Sequence, residues 1–540
     1  MPFIRVQKIV YDDQKNVIGG SASIVDVSYV PGAGKSHSKQ TVRECLGAVV
    51  RLETKRKGIF LSKTRGLVEY DADADAFAPV EATDPRLNGA PRVASQPAVH
   101  VVFGDAYGLL SSMQGNGMLK ILKEAFPDKL EYERLLAHTL HGVLKDGSRI
   151  SCEDFVAKSF ISLLIPEIPL ASLKSDTTYF SLMGDDKSRM AFFKAYVAEM
   201  RRRDPDFGRG CYVDSTPLPN DLTDNPFNAL CSHGLKGCSI QMRMVLILDE
   251  RSGLPVWYDI IPGNLLDVST VRTVFEKVSA ALDIEIDSLV VDAGYVSKEM
   301  IEMCHLGTKK AMIGRMPNRK GFPFEELYRR LEDFIVHHDH DFRTRDHDYF
   351  GMRREIELFG FKTYAYVYVD RQNAMKAYGD FQDSKPDEYA DLSARERDWY
   401  AVRGGFFILV ANHRATPKDL LNEYFGRTAI EGVFKTAKSY LDLLPLRKWT
   451  DLTVRGKILS DIINTITVLT LRKQLAETGI GLSELFGKTQ SLMCIRDREG
   501  RLLIETPNKH VRTLFKEAYQ LKAPSRLDLS TYRTSIGITM

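Results

Sequence analysis

The chain has 540 residues, 44% hydrophobic and 27% charged, with a net charge of +3 and seven cysteines. That is the make-up of a globular protein of several domains, and it excludes a disordered or low-complexity chain. The near-neutral charge leaves a polyanionic partner open, because local patches decide that question. No CxxC pair is present, which argues against a structural zinc site, and the odd, scattered thiols fit a reducing, cytoplasmic compartment. The N-terminus has no apolar signal core. The greasiest run, 458–471, contains Asp461 and Asn464 and is too short to span a bilayer.

In chain order, residues 1 to about 100 read as β-rich, with β-branched, turn-bounded runs at 23–30 and 48–52. From 101 to 205 the periodicity predicts helices at 118–126, 132–144, 152–164 and 187–203. Near 210 the texture turns to three strands (210–216, 240–248, 254–261), a helix (267–282) and an apolar run, 288–292, of the kind buried on both faces of a sheet. A further strand is expected at 310–313. Residues 316–402 read as an inserted segment that does not continue this sheet, with strand-like runs at 354–358 and 363–369 and a polar helical part at 387–400. A core strand at 406–410, a helix around Glu431 and a long buried helix, 452–475, follow. The last sixty residues give no clear pattern. The fold class is α/β, a mixed sheet with short connections.

Chemistry concentrates on the stretch from Tyr424 to Lys438. On one continuous helix, at about 100° per residue, Tyr424, Arg427, Lys435 and Lys438 fall within roughly 40° of Glu431, beside an apolar face of Ile430, Val433, Phe434 and Ala437. A carboxylate flanked by phosphate-seeking groups points to work on a nucleic-acid backbone, provided other acids meet it. Asp214 and Asp292 stand at the ends of predicted core strands, where a carboxylate is fixed yet accessible. Each alone can equally be a turn former or a helix N-cap. Together with Glu431 they supply three acids on separate elements, the donor set that two hard metal ions require. The ordinary alternatives are a half-buried aromatic for Tyr424, a solvated ammonium for Lys438 and an i,i+4 salt bridge from Arg427 to Glu431. Gly432, beside Glu431, admits either close approach of DNA or simple tolerance.

Two other motifs carry less. Pro31-Gly32-Ala33-Gly34-Lys35-Ser36 is similar to a phosphate loop but has Tyr29 where that loop needs glycine. The run His337 to Asp341, with Asp346-His347-Asp348, lacks helical metal-ligand spacing and reads as a solvated loop. Trp257, Trp399 and Trp449 are aromatics that could hold an extruded base, although a packing role is the better reading for each.

The order Asp214-Ser215-Thr216, Gly253-Leu254-Pro255, Pro262-Gly263-Asn264 with Asp267, Asp292-Ala293-Gly294-Tyr295 and Tyr424-x2-Arg427-x3-Glu431-x6-Lys438 resembles bacterial insertion-sequence transposases with an Asp-Asp-Glu triad. More narrowly it resembles the branch whose ribonuclease-H-like domain is interrupted by a β-rich insertion, in keeping with the 139 positions between Asp292 and Glu431. The resemblance covers roughly 100–475 and implies four regions. These are a β-rich region (1–100), a helical region that binds DNA ends (101–205), a ribonuclease-H-like catalytic domain (206–475, insertion about 316–402) and a C-terminal region (476–540). It implies that Asp214, Asp292 and Glu431 are catalytic and hold two Mg²⁺ ions, which Mn²⁺ could replace. Tyr424, Arg427 and Lys438 would grip DNA phosphates. The implied activity is cleavage at transposon ends and strand transfer into target DNA, by a homodimer assembled on double-stranded DNA in the bacterial cytoplasm, with no membrane partner. A structure-selective nuclease on the same fold, or a non-catalytic DNA-binding descendant, are the alternatives.

Overall fold

β-Branched, turn-bounded runs dominate the first hundred residues, and they fold as a six-stranded antiparallel meander: β1 (Phe3–Tyr11), β2 (Val17–Tyr29), β3 (Ser38–Leu52), β4 (Lys57–Ser62), β5 (Gly66–Asp71) and β6 (Ala76–Pro79). Alternate side chains, among them Ile24, Leu46, Phe60 and Tyr70, form its own small core. The computed structural model describes residues 2–11, 17–29, 38–62, 64–81, 84–87, 100–145, 151–220, 225–231, 239–264, 267–306, 310–329, 338–441, 443–496 and 501–538. The chain divides into two compact units, Met1–His100 and Val101–Met540.

The second unit opens with the short strand β7 (Val101–Val102) and a helical stretch that includes α1 (Lys129–Leu144), α2 (Asp176–Met183) and α3 (Asp186–Arg203). The helix expected over 152–164 is broken at Ser159, whose backbone is extended, giving Cys152–Lys158 and Ile161–Leu164. Asp128 caps α1 and Asp185 caps α3, each side chain accepting a hydrogen bond from a backbone N–H three residues on.

Ten strands then form one mixed sheet. In chain order these are β8 (Gly210–Pro219), β9 (Ala229–Cys231), β10 (Ser239–Asp249), β11 (Pro255–Pro262), β12 (Ser288–Val291), β13 (Ala311–Arg315), β14 (Asp341–Thr344), β15 (His347–Leu358), β16 (Phe361–Asp370) and β17 (Phe406–Ala411). Their spatial order is β11-β10-β8-β12-β13-β17-β16-β15-β14, with β9 paired to β10. Strands β8, β12 and β13 are mutually parallel, while β10 and β11 are antiparallel to their neighbours. Helix α4 (Asp267–Leu282) connects β11 to β12. Its chain entry at 265–266, and the Asp267 side chain, lie outside the described residues.

One expectation is overturned here. Residues 316–402 do continue the sheet: β17 pairs antiparallel with both β13 and β16, and the β15–β16 hairpin extends the same layer. The reason is burial. Tyr364 to Val369 are all buried, so β16 needs a partner along its length, and β17 offers one. The polar part of the segment folds as helices Arg371–Ser384, Pro386–Ala390 and Ala394–Arg403.

The expected single helix around Glu431 is also divided. Helix α5 (Pro417–Gly426) ends before Arg427, α6 (Thr428–Lys435) restarts after it, and one π-helical turn (Thr436–Tyr440) follows. Helix α7 (Asp451–Leu475) is buried around most of its circumference. The last residues, which gave no sequence pattern, form β18 (Met493–Arg496), β19 (Arg501–Ile504) and β20 (Arg526–Asp528), in a sheet of order β20-β19-β18-β7. They therefore close back on the start of the unit, where the Tyr132 hydroxyl also donates to the Ile536 carbonyl at 2.6 Å. Among the described residues no helix is long and apolar enough to cross a membrane.

Candidate active site

Two neighbouring strands build the floor of the site: Asp292 follows the end of β12, whereas Asp214, expected at a strand end, lies in the middle of β8, which stays paired with β10 as far as Pro219. Val213 of β8 pairs in parallel with Val291 of β12, so Asp214 and Asp292 occupy the next register position on neighbouring strands. Strands so paired run about 4.8 Å apart. Cys211, Tyr212, Val213 and Leu289 to Val291 are all buried, which fixes the backbone that carries both acids. Beyond Asp292 the chain turns sharply, the Tyr295 N–H donating to the Asp292 carbonyl at 3.0 Å. The carboxylates remain accessible, with side chains 19% and 44% exposed.

The α5–α6 segment supplies the rest. Thr416 caps α5 and Pro417 opens it. At the other end a side chain on Gly426 would collide with the Tyr212 hydroxyl, so glycine lets α5 close onto β8. At the junction the Arg427 Nη1 donates to Asp214 Oδ2 at 2.7 Å, and its Nη2 lies 3.9 Å from Asp292 Oδ1. One guanidinium thus bridges the two aspartates. The Tyr424 hydroxyl donates to Asp292 Oδ1 at 3.3 Å. Burial pushes the Tyr424 phenol up to about 12, and Asp292 adds to this, so the proton stays on as a donor. Burial opposes the Arg427 charge, but Tyr424, Asp214, Asp292 and Glu431 outweigh it and hold the guanidinium above its ordinary value.

Glu431 is placed differently. It is exposed on the first turn of α6 and acts on Arg427 only through space. Among the described residues no three His, Cys, Asp or Glu side chains converge as a metal-binding group. The structure therefore joins Asp214 with Asp292 through Arg427 and leaves Glu431 apart from them. Lys438 is carried on the π turn, and its ammonium donates to Thr216 Oγ1 at 2.6 Å and to the Pro217 carbonyl at 3.0 Å. Burial lowers its pKa. A Cβ on Gly432 would meet nothing within 4 Å.

Sequence reasoning missed three participants. Thr216 receives Lys438, and Arg315 at the end of β13 acts electrostatically on Tyr424. Arg345, in the tight β14–β15 turn, donates to the Phe425 carbonyl at 3.1 Å and lies over its ring. It places a cation at the carboxyl end of α5, the favourable end of the helix dipole. The signal available for Arg345 was its turn composition, Thr-Arg-Asp-His, which marks a hairpin but not its destination.

The lesser motifs are only partly described. Pro31–Ser36 and His337 lie outside the described residues; of the neighbouring acids, Asp341 pairs with Arg371 and Asp370 accepts from His347 at 2.8 Å. Trp257 is buried against Phe193. Trp399 packs edge-on to Tyr328 at 4.3 Å, and Trp449 is 68% exposed.

Two carboxylates carried by adjacent parallel strands share the Arg427 guanidinium, a group suited to phosphate. Residues 206–460 match the family described as the transposase DDE domain, a span that holds all three acids. The activity of the chain is that of a DDE-type DNA transposase, and enzymes with this domain use divalent metal ions. Among solved structures, a piggyBac transposase synaptic complex with hairpin DNA aligns at a TM-score of 0.33 and 11% identity, over 78% of this chain and 85% of that one. No curated protein matches the chain.

Proposed function

We propose that the enzyme cuts the ends of a bacterial insertion sequence and joins them to target DNA, with Asp214, Asp292 and Glu431 as its catalytic carboxylates on a ribonuclease-H-like core. The observation that carries this is the shared cation: two carboxylates on adjacent parallel strands converge on one guanidinium. The order β11-β10-β8-β12-β13, with the first three strands antiparallel and the last three parallel, supports the ribonuclease-H-like reading.

The donors fit a hard divalent ion, since both are carboxylate oxygens and already sit around a positive charge. Asp214 and Asp292 would hold Mg²⁺, with Glu431 joining from α6, and Mn²⁺ would substitute. When bound, the metal would favour deprotonation of an attacking water or 3′-hydroxyl and stabilise the departing phosphate oxygen. The remaining work falls to this chain's own groups. Arg427 exchanges Asp214 for a DNA phosphate, for which a planar two-toothed donor is well suited. The Tyr424 hydroxyl turns from Asp292 to a phosphate oxygen. Lys438 spends two of its N–H groups on Thr216 and Pro217 and has a third for the backbone. The helices of 101–205 position the element ends, and two copies assemble on DNA because two ends must be joined. The protein acts in the cytoplasm.

Strand transfer separates this reading from a nuclease. Element ends still joined to flanking DNA, mixed with plasmid and Mg²⁺, should be cut to a 3′-hydroxyl and yield covalently joined DNA. Cleavage without any joined product would assign a nuclease, and neither would assign a DNA-binding descendant.

A further inference from the structure

The second unit holds a polar cavity of about 240 Å³ whose lining includes none of Asp214, Asp292 and Glu431. It lies between α1, α2, α7 and the 441–448 segment that follows the π turn. It is several times larger than the share of one water, roughly 30 Å³.

Its exposed side is cationic. Lys145, Arg447 and Lys448 line it, with Lys457 buried behind them. Asp461 offsets Lys457 at 2.7 Å, and Asp176 lies 4.0 Å from Lys448. Arg447 has no ion pair among the described residues, and its backbone is held at φ +46°, a left-handed conformation that costs a non-glycine residue energy. The next residue but one is the exposed Trp449.

Its buried side is aromatic and amide-lined. His138 and Tyr179 stack at 3.9 Å, and the Lys448 ammonium rests over Phe180 at 4.7 Å. Asn464 of α7 is 3% exposed, and its Oδ1 has no hydrogen-bond partner. An orphaned buried acceptor of this kind is unfavourable until a donor reaches it. Gly142 makes the placement possible, because a side chain there would collide with the Asn464 amide. Cations outside and an acceptor inside complement a molecule with an anionic end and an N–H-bearing ring.

We propose that this cavity binds one nucleotide of a DNA strand, its phosphate against Arg447 and the adjacent lysines and a base N–H on Asn464 Oδ1. The assignment to DNA, rather than to a free nucleotide, rests on the transposase reading. Binding of the four deoxynucleoside 5′-monophosphates to the full chain, followed by thermal shift in the presence of EDTA, tests the cavity without the metal site. At least one nucleotide should bind about tenfold more tightly than deoxyribose 5-phosphate, the ratio one satisfied buried hydrogen bond gives. Arg447→Gln, at an exposed position, should weaken nucleotide and sugar phosphate alike, and Asn464→Leu should remove only the preference for the nucleotide. Asp214→Asn should leave binding intact. No shift with any nucleotide, or an unchanged shift in Arg447→Gln, overturns the proposal even if Asn464→Leu does not fold. Since no step needs metal or cleavage, failure here leaves the catalytic assignment standing, and failure of that assignment leaves this result standing.

Discussion

Arg427 holds together what the two strands only bring near. Without it, Asp214 and Asp292 would face each other in a partly buried setting with like charge. Arg427→Gln should therefore destabilise the metal-free protein by on the order of 1–3 kcal/mol, since an unpaired charge in such a place is costly. Mg²⁺ should recover most of that loss, because a ligand that binds only the folded form raises its stability. A variant that melts with wild type, or that gains nothing more from Mg²⁺, would show that the arginine is not standing in for a cation. The sequence placed Asp292 correctly at a strand end, because an apolar run such as 288–291 has one natural home, a strand covered on both faces; it did not foresee that β8 runs on past Asp214 to Pro219, paired with β10 throughout. It did not settle the partner of Arg427. Helical spacing offers Glu431 at i+4, but the break at Arg427 and the approach of α5 to β8 turn the guanidinium to Asp214 instead.

Two glycines, six positions apart, show how the α5–α6 element is built. Gly426 faces Tyr212 at a distance that leaves no room for a side chain, whereas Gly432 faces open space. Gly426→Ala should cost about 1–3 kcal/mol by forcing α5 off β8. Gly432→Ala should gain up to about 1 kcal/mol from helix propensity alone. Melting of the two variants checks both signs; equal effects would contradict the packing described. If DNA approaches Gly432 closely, the same stabilised variant will bind element ends less well. Element types were legible because periodicity reports burial. Their assembly was less so. Nothing in the alternation of β15 and β16 says that β17, some forty residues on, will pair with β16 and carry the hairpin into the main sheet. The π turn was equally hidden, although it is what sets Lys438 over Thr216.

At the scale of the molecule, the chain is one small β unit and one large unit whose two ends share a sheet, through β7 and β18. Near that closure, Asp105 is buried and burial pushes its carboxyl up to about 6. The folded form keeps this proton where the unfolded chain loses it near 3.8, so stability falls as pH rises from about 4 to about 6 and the full cost is present above that. From a shift of about two units that cost is about 3 kcal/mol. Asp105→Asn should then melt higher than wild type at pH 8, with the gain shrinking as pH falls through 6 and vanishing near 4. A pH-independent gain would point to a packing effect instead.

The central claim is that Glu431, exposed and apart from the aspartate pair in this structure, works with them. Single-turnover cleavage of DNA carrying the element's own ends tests it most directly. Asp214→Asn, Asp292→Asn and Glu431→Gln should each abolish Mg²⁺-dependent cleavage while retaining end binding. Wild-type cleavage by Glu431→Gln would contradict the account, and would leave the two aspartates as the whole of the site.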